Sequence, residues 1–239
     1  MSDLLRGYSL SEYNENVRRF FLFGIPLFAG MMIQSLLYNL YLTRLGFQED
    51  FIGQMAGLAP LASGIFAIPT GIISDRVGRK PFLIASAAVM AVTQIGLCTV
   101  TDRSLLLVLA FVAGTSGAFI WVNHVPFLSE NAAPQRRAQS IAIWMSIQGV
   151  TRMALSLVGG SLPDLMSYLT GYGIDEAEPF RYALFVGSFL CFIAMLPLLG
   201  VHTTTSRNRA QEREDPVPFP LRTFVAFGIT SACRGASMG

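Results

Sequence analysis

Charge in this 239-residue chain is confined to short stretches that separate long uncharged runs. Residues 20–43, 51–74, 81–101, 104–129 and 182–206 carry no Asp, Glu, Lys or Arg, and residues 138–163 carry only Arg152. A further apolar run opens near Leu221. Roughly 20 consecutive apolar residues suffice for a helix to cross a bilayer, and each complete run is long enough. In hydrocarbon an open strand leaves its backbone groups unpaired, so each run is expected to be a helix. The fold class that follows is an all-α membrane protein, a six-helix transmembrane bundle with a partial seventh helix. Composition agrees. Charged residues make up 13% of the chain and apolar residues 52%, against about 25% charged in soluble proteins.

The runs divide the chain into a cytoplasmic N-terminal segment (1–16), a six-helix bundle (17–201), a polar linker (202–220) and the start of a second bundle (221–239). The linker mixes Arg and Glu and carries Pro216, Pro218 and Pro220, as a flexible connection does. With the N-terminus inside, twelve of the 17 basic residues lie on inner segments. Three, Arg44, Arg103 and Arg181, lie outside, and Arg152 and Arg234 lie within spans. The positive-inside bias therefore predicts a multi-pass protein of the plasma or cytoplasmic membrane with a cytoplasmic N-terminus. The polar residues 1–16 do not form a secretory signal. No compact basic surface remains for nucleic acid, and Cys98, Cys191 and Cys233 have no metal-site spacing. Neither cofactor nor metal is expected.

Residues 221–229 echo residues 17–25, with five of nine positions identical at an offset of 204. Such an echo is what a parallel internal repeat of two six-helix halves leaves in a sequence. Between spans two and three the chain reads Gly71-Ile-Ile-Ser-Asp75-Arg76-Val-Gly78-Arg79-Lys80. A loop of about six residues must reverse tightly there, and Gly78 supplies the freedom for it. Asp75 beside three basic residues is set for charge-assisted hydrogen bonds. Gly71 is expected to permit close helix approach. It continues a stripe of Gly53, Gly57, Pro60, Gly64 and Ala67 of the sort that lets membrane helices touch.

The Gly71–Lys80 pattern, in this loop of a chain with six spans before a linker, resembles the signature of the major facilitator superfamily. That resemblance implies a transporter with two rocking six-helix bundles. It also implies that Gly71, Asp75, Arg76, Gly78, Arg79 and Lys80 act as a conformational latch. The turn carrying Glu130, Arg136 and Arg137 resembles the acidic-then-arginine loop common in the family. Two departures leave the coupling ion open: span four lacks a membrane-embedded arginine, and Gly159-Gly160 is not followed by the family's antiporter glycine–proline pattern.

Ionisable residues inside a membrane are functional candidates. Arg152 lies about 21 Å along its span at 1.5 Å per residue, beyond the midplane, where it needs a wet cavity or a partner. With Gln34, Asn39, Gln94, Asn123, Gln148 and Arg234 it forms the candidate substrate cavity, and Arg152 favours an anionic or zwitterionic solute. Trp121 and Trp144 line the cavity or an interface on this reading. The expected partners are the lipid bilayer, a small solute and a proton or other coupling ion. Residues 1–239 alone are expected not to transport, because the mechanism needs both halves. A passive channel or a sensor is the alternative function. An intramembrane serine protease built on Ser116 is disfavoured: His124 lies eight residues along the same helix, roughly 12 Å away, out of reach of a general base.

Overall fold

A computed structural model describes residues 13–201. The linker, the start of the second bundle and with it Arg234 lie outside the described residues, as does His202. Six helical stretches are long and apolar enough to cross a membrane. They comprise α1 (Glu15–Arg44), α2 (Glu49–Val77), α3 (Arg79–Thr99), α4 (Arg103–Asn131), α5 (Arg137–Val158) continuing through a 3-10 turn into α6 (Leu162–Thr170), and α7 (Glu178–Ile193) continuing into α8 (Met195–Leu199). The six-helix bundle is thus as expected, with adjusted ends. The first helix begins at Glu15 rather than 17, because Asn14 caps it by accepting from the Val17 amide at 3.0 Å. The fifth stretch runs over Pro134–Thr170, beyond the expected end at 163.

Helix α1 packs chiefly on α7 and α5, α3 lies between α4 and α7, and α2 lies along α4. Aromatic side chains fill much of the core. The Trp144 indole stacks on Phe20 at 4.4 Å between centroids and meets Phe28 at 4.9 Å. It fits against α1 because Gly24 has no side chain: a Cβ there would lie 2.5 Å from the indole. Trp144 is 1% exposed, so it is a core residue and lines no cavity in this bundle. At the outer end Tyr41, fully buried, donates to the Cys98 carbonyl at 2.9 Å and accepts from Arg181 at 3.2 Å.

The expected small-residue contact along α2 is not where its stripe points. A Cβ at Gly53, Gly57 or Gly64 would meet nothing within 4 Å, and one at Gly71 would make an ordinary contact of 3.8 Å with Val122. The close approach belongs to Gly114 of α4, where a Cβ would come within 2.3 Å of the Ala59 carbonyl oxygen. One glycine on the partner helix, rather than a row on α2, brings the two backbones together. The faces of α2 and α5 stay largely uncovered: 11% of the α2 span and 6% of the fifth span are buried, against 39–56% of the other four.

These contacts make the glycines unequal. Gly114→Ala is expected to destabilise the bundle by about 1–3 kcal/mol, since backbone rather than a pliable side chain must move. Gly57→Ala should leave stability unchanged or slightly raised. Thermal unfolding of the two variants in detergent, followed by the monodisperse fraction, checks this difference.

Candidate functional site

The segment between spans two and three is a joint of one residue, shorter than the six expected, because both helices extend into the charged motif. Gly78 alone separates α2 from α3, and its φ of 101° is one that other residues rarely adopt. This turn points Arg79 back across the C-terminal ends of α2 and α4. Its guanidinium pairs with Asp75 at 2.7 Å and with Glu130 at 2.9 Å, and donates to the Asn123 side-chain oxygen at 3.3 Å. Asn123 is fully buried and donates to the Phe119 carbonyl at 2.7 Å. One planar cation with several fixed donors thus ties three helices together, a task for which Arg suits better than Lys.

Lys80 turns the other way. Its ammonium donates to the carbonyls of Val201 at 2.5 Å and Leu199 at 3.3 Å. These are end groups of the sixth span, which lack helical partners and where positive charge is favourable. Arg76 and Arg137 are exposed, and the Arg136 guanidinium lies over the Tyr13 ring at 5.6 Å. The two loops expected to act separately therefore meet through Arg79 and Glu130. Next to them, Asn14 donates to the Asn131 carbonyl and Asn16 to its side-chain oxygen at 2.9 Å, joining the start of α1 to the end of α4. The sequence gives no signal for this asparagine contact, since the partners are more than a hundred residues apart.

The proposed cavity residues scatter. Asn123 belongs to the Arg79 cluster. Gln94 is buried between helices with its side-chain oxygen unpaired, and both polar atoms of the Gln34 side chain are buried without a partner among the described residues. Asn39 is exposed and Gln148 half-buried. Arg152 is exposed on α5 and makes no ion pair among the described residues. On another side of α5 lies an open groove of about 660 Å³, lined by Ile25 of α1 and by Ala142, Ile143, Ser146, Ile147, Val150 and Thr151. Ser116 donates to the Ala113 carbonyl at 2.8 Å, a helix-internal bond, and His124 bonds the Trp121 carbonyl at 2.6 Å. The two side chains share no hydrogen bond.

The sequence profile of the Major Facilitator Superfamily matches residues 20–236. The chain belongs to this family. Its members are transporters rather than enzymes, so the protein is a multi-pass integral membrane protein of a solute-transporting family. It is 28% identical over 136 residues to an uncharacterised MFS-type transporter of Methanocaldococcus jannaschii, covering 57% of this chain and 31% of the relative. It is 28% identical over 140 residues to the inner membrane transport protein YajR of Escherichia coli, covering 59% and 30%. To the multi-drug resistance efflux pump PmrA of Streptococcus pneumoniae it is 27% identical over 165 residues, covering 66% and 38%. The chain spans about a third of the length of these relatives.

The Arg79 cluster should be unequal in its parts. Glu130 is 37% exposed, so Glu130→Gln is expected to cost well under about 1 kcal/mol. Arg79→Ala also strips the buried Asn123 oxygen of its donor and should cost about 1–3 kcal/mol. Chemical unfolding of both variants and of the double variant measures the coupling.

Proposed function

We propose that this chain supplies the first six-helix bundle of a secondary carrier that moves a small solute by alternating access. The observation that carries the proposal is the unequal covering of the spans. Within a family of solute transporters, only 11% of the α2 span and 6% of the fifth span are buried, as for helices that a second bundle and a solute path complete. In lipid the uncovered stretch of α5 would also carry Arg152 at a cost of roughly 2.5–3.5 kcal/mol. Facing a wet central path removes that cost. The latch fits the same account. The Arg79 cluster binds the ends of α2, α3 and α4 on the side the basic residues assign to the cytoplasm, and it biases the bundle toward one of its two states.

Arg152 supports an anionic or zwitterionic solute, and the groove on the other side of α5 offers apolar surface. Two hydroxyls, Ser146 and Thr151, are the groove's polar side chains. Among relatives, PmrA is described as a multi-drug efflux pump and another match as a class G tetracycline resistance protein. Export of an amphipathic compound is therefore the direction we favour. Coupling to a proton is part of the proposal.

Counterflow in proteoliposomes holding this bundle together with a second six-helix half tests the carrier, since the bundle alone is not expected to transport. Flux of a transported compound should saturate and be stimulated by unlabelled compound on the far side. Rapid flux that neither saturates nor responds to the far side would establish a channel instead, and absence of flux for every compound would favour a sensor. Within the carrier, Arg152→Ala should raise KM about tenfold or more, a loss near 1.4 kcal/mol of binding. Arg79→Ala should instead lower the maximal rate with little change in KM, because it acts on the equilibrium between states.

A further inference from the structure

Both tryptophans of the chain flank one histidine. Trp121 meets the His124 ring edge-on at 5.5 Å, and Trp144 lies nearly parallel to it at 6.1 Å and 27°. The ring is 7% exposed, at the junction of α4 with the Trp144 stack. His124 Nδ1 lies 2.6 Å from the Trp121 carbonyl oxygen. A carbonyl only accepts, so Nδ1 carries the proton and the neutral ring leaves Nε2 as a bare acceptor. That Nε2 is buried without a partner among the described residues, and so is the indole N–H of Trp144.

We propose that His124 is a proton-binding switch of the bundle, in which uptake of one proton at Nε2 loosens the packing of α4 on α1 and α5. The balance is simple: a proton from water joins the Nε2 lone pair, no other bond breaks, and the ring becomes an imidazolium. In the packed state its new N–H would have no acceptor and its charge no counter-ion, a costly arrangement away from water. The indole face offers partial compensation at this distance. The carbonyls of Trp121 and Ile120 also lie beside the ring, but no carboxylate pairs with it among the described residues. The charged groups of the elements around it are Glu15, Arg18, Arg19 and Arg44 of α1, Arg103 and Glu130 of α4, Arg137 and Arg152 of α5, and Arg79 and Lys80 of α3. Glu15 pairs with Arg19, Arg44 with Asp175 and Arg79 with Glu130, Lys80 donates to the Val201 carbonyl, and Arg152 is exposed. The neutral ring therefore favours the packed arrangement, and the protonated ring favours one that admits water or parts the helices. The inference stands on the ring's geometry and does not require the carrier reading.

Because an imidazolium in contact quenches indole emission, the chain's own fluorescence reports the event. For the full chain in lipid nanodiscs, emission should fall through a single one-proton step as pH is lowered from about 8 to about 4. The step should vanish in His124→Gln and persist in His202→Gln, which removes the other histidine. Trp144→Phe should shrink its amplitude. Independently of any variant, hydrogen exchange of the wild type, corrected for intrinsic rates, should rise several-fold across residues 118–128 and 140–148 below the step. Flat emission over this range, a step that survives His124→Gln, or exchange unchanged by pH would each overturn the proposal.

Discussion

The guanidinium of Arg79 is the interaction on which one end of the bundle depends. It bonds to Asp75 on α2 and to Glu130 and Asn123 on α4, while its own backbone starts α3. Without the left-handed turn at Gly78, α3 would not start at this point and the side chain would not reach the two acids. A backbone conformation, a planar cation and two carboxylates therefore form one unit. Any motion that separates α2 from α4 at this end must break at least one of these bonds. This makes the cluster a point at which the arrangement of the bundle can be biased.

The opposite end is held by different chemistry. The three basic residues there, which run against the charge bias, all rest on aromatic rings: Arg44 over Phe180 at 5.7 Å, Arg103 over Phe51 at 5.3 Å and Arg181 over Tyr41 at 5.9 Å. Arg44 also pairs with Asp175 at 2.9 Å. Such contacts localise a cation beside apolar surface. The Arg79 end is thus tied by charge-assisted hydrogen bonds among helix ends and the opposite end by cations on rings. Between the two ends, the aromatic stack around Trp144 forms the centre of the core.

Much of this was legible in the sequence because bilayer thickness sets span length and charge marks span ends. The spans and the importance of Gly78, Asp75 and Arg79 follow from local pattern. What pattern could not give is which distant residues meet. Glu130 looked like part of a separate loop, and Asn123 like a lining residue, because their common partner is 51 and 44 residues away. The α2 stripe pointed to a contact that lies instead at Gly114, since periodicity identifies a small-residue face but not whether a neighbour occupies it. Pattern alone likewise left Trp144 open between lining a cavity and packing against a neighbouring helix. Only the absence of a side chain at Gly24 makes room for an indole in the core. Arg152 stood out as a charge within a span that needs a wet cavity or a partner, but nothing local to it names a ligand.

The central claim, that the Arg79 cluster is the cytoplasmic latch of a carrier bundle, requires first that this end face the cytoplasm. Single cysteines introduced at Ala133 and Ile174, both exposed and at opposite ends of the bundle, decide it. In the parent, Cys233 is replaced, while Cys98 and Cys191 are buried. With a membrane-impermeant thiol reagent, the account predicts labelling at position 174 in intact cells and at position 133 only after the membrane is opened. Labelling at 133 in intact cells, with 174 protected until lysis, would contradict it.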